Sequence, residues 1–222
     1  MSKIEFDKTG ERYYETGVSD CALYVQGAKG VYGTGVAWNG ISSISESPEG
    51  AEVSSVYADN IKYLNLMSAE DFKATIEAYT YPDEFAICDG SASLENVPGL
   101  KITQQTRKKF GIVYKSKIGN DVDAELGYKL HIVYNCLAAP SERQYQTVND
   151  SPEAMTMSWS ISTEPINTGE ANLKPTAHLE IDSTKTTPTI MQKLIDKLYG
   201  TEDTEPTLLL PNEVIALMKQ AA

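Results

Sequence analysis

Eight consecutive residues, Met155-Thr156-Met157-Ser158-Trp159-Ser160-Ile161-Ser162, alternate four large apolar side chains with four hydroxyl-bearing ones. On a helix, residues two apart point to nearly opposite sides, so only an extended strand gathers all four apolar groups on one face. The run predicts a β-strand with one buried and one hydrated face. The same period recurs at Phe110, Ile112 and Tyr114. Turn residues Gly119-Asn120-Asp121 follow, and the alternation resumes at Leu130, Ile132, Tyr134 and Cys136. Residues 107–137 are therefore expected to form a long hairpin. The opposite face of its second strand carries His131, Val133 and Leu137. Both faces are thus partly covered, as in a sandwich or a sheet closed by neighbours.

Residues 22–26, 34–38 and 41–46 read as short strands, with Asn39-Gly40 as a hairpin turn between the last two. Residues 49–65 are acidic, carry Tyr57 and Tyr63, and read either as an extended loop or as irregular strands. Residues 68–80 satisfy two patterns. Ser68 and Asp71 resemble a capping box ahead of a Phe72, Ile76, Tyr79 helical stripe, yet Phe72, Ala74, Ile76 and Ala78 also alternate as a strand. Beyond residue 185 the period becomes helical. Thr187 can cap, Pro188 suits the first helical position, and Ile190, Met191, Leu194, Ile195 and Leu198 form a stripe that stops at Gly200. After a polar run, Pro211 opens a second stripe of Val214, Leu217 and Met218. The expected division is a β domain over 1–185 and a C-terminal helical segment over 186–222, which lies either on the exterior of an assembly or on the chain's own sheet.

At 222 residues and 41% hydrophobic the chain has enough apolar mass for a core without staples. Cys21, Cys88 and Cys136 are odd in number and widely spaced, which suggests neither a disulfide framework nor a zinc knuckle. No run approaches a secretory leader or the roughly 20 apolar residues of a membrane span, so a cytoplasmic product without membrane insertion is expected. On that basis the sequon-like Asn149-Asp150-Ser151 reads as a polar loop.

The net charge of −12 is unevenly distributed. Residues 46–95 hold eleven acidic and two basic side chains, whereas residues 96–118 hold six basic ones and no acid. Either these charges disperse over solvated faces, or they provide head-to-tail complementarity between copies. Ordinary affinity for duplex DNA is not expected of so acidic a chain.

The sequence holds no recognisable reacting constellation, and the expectation is no catalytic residue, no cofactor and no metal. There are only two histidines, His131 and His178, and His131 lies inside an apolar strand, as a structural histidine does. Zinc-protease, hydrolase and phosphate-loop signatures do not occur. Gly30, Gly33, Gly35 and Gly40 lack phosphate-loop spacing. Asp121-x-Asp123-x-Glu125 lacks the glycine and terminal glutamate of a calcium loop. Thirteen tyrosines suit both strands and protein interfaces.

Several segments carry a resemblance. They are Val36-Ala37-Trp38-Asn39-Gly40-Ile41, Tyr57-Ala58-Asp59-Asn60-Ile61-Lys62-Tyr63, Thr75-Ile76-Glu77-Ala78-Tyr79-Thr80-Tyr81-Pro82-Asp83-Glu84-Phe85, Gln104-Gln105-Thr106-Arg107-Lys108-Lys109-Phe110-Gly111 and the helical run from Thr187 to Thr201. Over most of its length the chain resembles the major tail tube proteins of long, non-contractile-tailed phages of Gram-positive bacteria. That resemblance implies a mainly β, tail-tube-type sandwich or barrel with a short flanking α-helix at residues 82–88, a strand at 72–80 and a C-terminal helical appendage. It also implies hexameric rings stacked into a tube that conducts DNA without specific binding. Implied partners are further copies, a tape measure protein, a tail terminator and a distal tail protein, in a virion. A bacteriocin-like or secretion-related tube, or a β-sandwich recognition module, are the alternatives.

Within that frame the expected inter-ring arm contains Glu49, Glu52, Tyr57, Asp59 and Lys62. The expected subunit interface contains Arg107, Lys108, Lys109, Asp83 and Glu84. Lumen candidates are Glu46, Glu52, Glu77 and Asp121.

Overall fold

The computed structural model describes residues 4–94, 97–140, 142–147, 150 and 154–220. Among them the chain forms β1 Tyr14–Val25, β2 Val36–Ala37, β3 Ile41–Glu46, β4 Glu49–Gly50, β5 Val53–Ala58, β6 Ile61–Met67, β7 Glu70–Asp71, β8 Lys73–Ala78, β9 Ala92–Leu94, β10 Val97–Ile102, β11 Phe110–Gly119, β12 Gly127–Ala138, β13 Met157–Ser162 and β14 His178–Asp182. Helices α1 Pro188–Tyr199 and α2 Pro211–Lys219 follow. The sequon-like Asn149-Asp150-Ser151 lies largely outside the described residues.

The main sheet runs β2-β1-β11-β12-β13-β8-β3, with β14 also on β12, and every one of these pairings is antiparallel. β12 is the pivot. Its first half pairs with β14, and only its last two residues, Leu137 and Ala138, pair with β13. The sheet therefore folds over itself into two layers, β2-β1-β11-β12-β14 against β13-β8-β3, as a mainly β sandwich.

Between the layers lies an aromatic core. Trp38, Phe85, Phe110 and Trp159 are each at most 2% exposed, and Cys21, Cys88 and Cys136 pack with them. Burial pushes all three thiols up, Cys88 to about 12. The alternating strand behaves as its pattern requires: Met157, Trp159 and Ile161 are buried, and Ser158, Ser160 and Ser162 face away. β8 resolves the ambiguous segment as a strand, burying Ala74, Ile76 and Ala78.

A second core fills the other face of the larger layer. Ala22, Tyr24, Val113, Leu130, Ile132 and Tyr134 meet Ile190, Met191, Leu194, Leu198, Leu208, Leu209 and Val214 of the helical segment. The helices thus cover the chain's own sheet. Each fully buried aliphatic side chain there contributes about 1.5–3 kcal/mol of burial free energy. Thr187 makes no side-chain cap; its carbonyl instead accepts from the Ile190 and Met191 amides.

Three expectations are corrected. Asn39-Gly40 does not close a hairpin, because β2 pairs with β1 while β3 pairs with β8. Trp38 is drawn into the aromatic core and donates Nε1–H to the Thr80 carbonyl at 2.9 Å, so the turn carries the chain from one layer to the other. Gly40, at φ 79°, supplies the left-handed residue this crossing needs. Cys136 does not share a face with Leu130, Ile132 and Tyr134. A bulge at Asn135 (φ 48°) inserts one residue between the Phe110↔Cys136 and Ile112↔Val133 pairs and shifts the alternation. The flanking helix is a 3₁₀ turn, Asp83–Ile87, rather than α: it is one short turn pinned by buried Phe85 and Ala86.

Candidate assembly surface

Between β3 and β8 the chain leaves the sandwich altogether. β4 pairs with β7, and β5 with β6, as two-stranded ladders outside the main sheet. The ribbon reverses at Asp59-Asn60, both left-handed at φ 50° and 64°, the conformation of a tight hairpin turn. All five arm residues expected from sequence lie on it. Glu49 binds Lys73 at 2.6 Å at the root, Glu52 follows β4, Tyr57 pairs with Lys62, and Asp59 is at the tip.

The sequence reading missed the ribbon's apolar content. Val53, Val56, Tyr57, Ile61, Tyr63, Leu64, Leu66 and Met67 are all exposed, Met67 by 71% and Tyr57 by 69%. Cross-strand pairs place Val56 with Leu64 on one face and Val53 with Met67 on the other, so neither face has its own cover. An isolated hairpin is marginal in water, and an uncovered apolar ribbon is a pairing template. The available signal was the density of large apolar residues between 53 and 67, which has no consistent single-face period. A second ribbon, β9 with β10, likewise exposes Leu94, Val97, Leu100 and Ile102.

The root of the arm is tight. Gly50 has φ 94°, and a Cβ there would clash with the Ala69 carbonyl oxygen. Gly50→Ala is expected to disrupt the β4–β7 pairing, raising amide exchange across 49–71 while leaving the core strands protected. Hydrogen exchange by mass spectrometry reads both.

Expected interface charges sit on the sandwich body. Five of the six cations in the basic block pair within their own chain: Lys101 with Asp83, Arg107 with Asp89, Lys109 with Glu164, Lys115 with Asp20 and Lys117 with Glu125. Arg107 also donates to the Ala138 carbonyl at 2.9 Å, and Lys108 and Glu84 are exposed.

The four lumen candidates do not share a surface. Glu46 lies at the rim between the layers, where Tyr114 donates to its Oε1 at 2.6 Å. Glu77 is on the outer face of β8 and accepts from Ser43 at 2.8 Å. Glu52 is on the arm, and Asp121 accepts from the Gly10 amide at 2.9 Å. Around Glu77 the outer face of β13-β8-β3 brings together Ser158, Ser160, Thr75, Ser43 and Ser45. That face is small-residue, hydroxyl-rich and nearly neutral. Half of it was visible in the serine alternation of β13.

One polar cluster lies beneath the rim. His131, 4% exposed, places Nδ1 3.2 Å from His178 Nε2 and 3.4 Å from Glu46 Oε1, and its Nε2 lies 3.0 Å from Ser116 Oγ. Burial lowers the pKa of both imidazoles, against the opposing pull of Glu46.

No family model matches the chain, and no curated protein matches it. Among solved structures it is similar to a chain in the six-fold symmetrised cryo-EM structure of the anti-feeding prophage (AFP) baseplate. The identity is 10% and the TM-score 0.38, over 82% of this chain and 99% of that one. It is also similar to a chain of the PVC sheath-tube complex of an extracellular contractile injection system in the extended state. There the identity is 14% and the TM-score 0.31, over 72% and 90%. With TM-scores this low, neither likeness carries the functional reading.

Proposed function

We propose that this chain is a non-catalytic, self-assembling structural subunit of a phage-tail-like tube, forming hexameric rings that stack into a channel for DNA. The observation that carries the reading is the 49–71 ribbon, which projects eight large apolar side chains that stay exposed among the described residues. In the tube it packs against the next ring. β3 is a sheet edge available for lateral pairing within a ring, and such directional contacts close into rings or run on as filaments. The hydroxyl-rich outer face of β13-β8-β3 lines the channel, where the absence of a cationic surface keeps phosphate from binding. Lys73, the cation of that face, is paired with Glu49. Tape measure, terminator and distal tail proteins are the partners this role entails, and the virion is its location.

The charge pattern adds a measurable expectation. With most of the basic block paired internally, apolar burial supplies the affinity, so assembly is expected to weaken little from low to high salt. Sedimentation velocity across protein concentration and ionic strength tests both points. Large species that persist in high salt are expected; a single monomeric boundary at every concentration refutes the role.

A further inference from the structure

The cluster of Glu46, His131 and His178 has a donor set that an ordinary buried histidine lacks. His131 on β12 and His178 at the start of β14 are diagonal neighbours on one face, since His131 pairs with Glu180 and Val133 with His178. Glu46 reaches them from the end of β3. Their three ligand atoms lie within 4.8 Å of one another. A four-coordinate zinc ion with bonds of about 2.0–2.1 Å spaces its ligand atoms by roughly 3.3 Å, against 3.2 Å and 3.4 Å here.

The surroundings favour a cation. Ser116 holds the far nitrogen of His131, and the Tyr114 ring stacks on it with centroids 4.6 Å apart. Tyr114 also anchors Glu46. Such outer partners orient ligands in metal sites. Glu15 and Glu180 stand nearby, sharing the single ammonium of Lys129.

We propose that Glu46, His131 and His178 form a binding site for a divalent cation of the zinc class, whose imidazole and carboxylate preference this set matches better than that of Mg²⁺ or Ca²⁺. The two imidazole planes are within 4° of parallel with centroids 5.4 Å apart, so the facing nitrogens point almost at one another and share a hydrogen. The cation takes the place of that hydrogen, and the rings turn to converge on it; His178, the less buried of the two, has the room. The bound ion ties β3 to β12 and β14, three residues before the arm begins at Glu49. This site stands independently of the tube reading, and the failure of one leaves the other standing.

Titration of tag-free, chelator-stripped protein with ZnCl₂ by calorimetry is expected to give one ion per chain and a raised Tm, with MgCl₂ giving neither. CoCl₂ is expected to produce the intense visible bands of a four-coordinate site. His178→Gln and, at a more exposed position, Glu46→Gln are each expected to weaken binding at least about tenfold, with near-UV dichroism confirming the fold. Asp121→Asn is expected to bind as the parent does. No zinc heat and no cobalt bands in the parent overturns the proposal, as does zinc binding that survives both substitutions undiminished.

Discussion

Replacing residues 51–68 with a short Gly-Ser linker is expected to give a folded, soluble subunit that no longer polymerises. The splice is geometrically mild, because Gly50 and Glu70 already face each other across the β4–β7 ladder. Little of the core is lost: among the described residues β5 and β6 pair as strands only with each other, and none of their side chains belongs to either buried cluster. Tm should therefore change by only a few degrees. Assembly is another matter. At about 1.5–3 kcal/mol per large apolar side chain fully buried, covering half of the eight exposed ones supplies roughly 6–12 kcal/mol. That is comparable to the ~4–15 kcal/mol that association costs in lost freedom, so removing the ribbon tips the balance. Normal tubes from the deletion would refute the arm's role; an unfolded product would refute its separation from the core.

Trp159→Ala is expected to be the most damaging single change to the fold. Trp159 is fully buried, with ring centroids 5.2 Å from Phe85 and 5.7 Å from both Trp38 and Tyr81. Truncating a buried Trp costs about 3–5 kcal/mol through lost burial and the residual cavity, a large share of the ~5–15 kcal/mol that holds a domain together. Its indole also donates to Asp89 Oδ1 at 3.0 Å. Asp89 keeps Arg107 and Arg143 when that bond is gone, so the loss is chiefly one of packing. Denaturant unfolding is expected to show the full decrement; a loss below ~1 kcal/mol would mean that the two layers do not depend on this cluster.

Elements whose periodicity is local were legible from sequence. Met157, Trp159 and Ile161 could share a face only on a strand, and the Ile190-to-Leu198 stripe only on a helix; the helix formed where expected, and the strand starts at Met157, two residues after the expected Met155. The β11–β12 hairpin was equally plain. What failed to read depended on long-range contacts. Asn39-Gly40 encodes a tight turn but not its destination, which the burial of Trp38 beside Thr80 decides. The bulge at Asn135 turns Cys136 to the other face, and no local pattern announces it. The site divided in the same way. The arm was recognisable as chain unsuited to a core, yet its pairing into a ribbon and its apolar exposure were not, because isolated ribbons lack the one-sided period a core imposes. His131 and His178 are separated by 47 residues, and only the β12–β14 pairing makes them neighbours.

Charge showed the limit of reading residues in blocks. A run of six cations following a run of acids left two readings open, dispersal over solvated faces or complementarity between copies. Within the chain Lys101 folds back onto Asp83, and Arg107 onto Asp89. An exposed pair such as Lys101–Asp83 contributes little, whereas the Arg107–Asp89 pair is mostly buried. Their effect is to leave the apolar ribbon as the feature with the most free energy still to gain.

Self-assembly into a tube is the central claim, and electron microscopy of the purified full-length protein, taken from dilute to concentrated solution, tests it most directly. Six-fold rings at intermediate concentration and stacked tubes with a continuous central channel at high concentration are the predicted images. Particles that remain single subunits throughout would contradict the account.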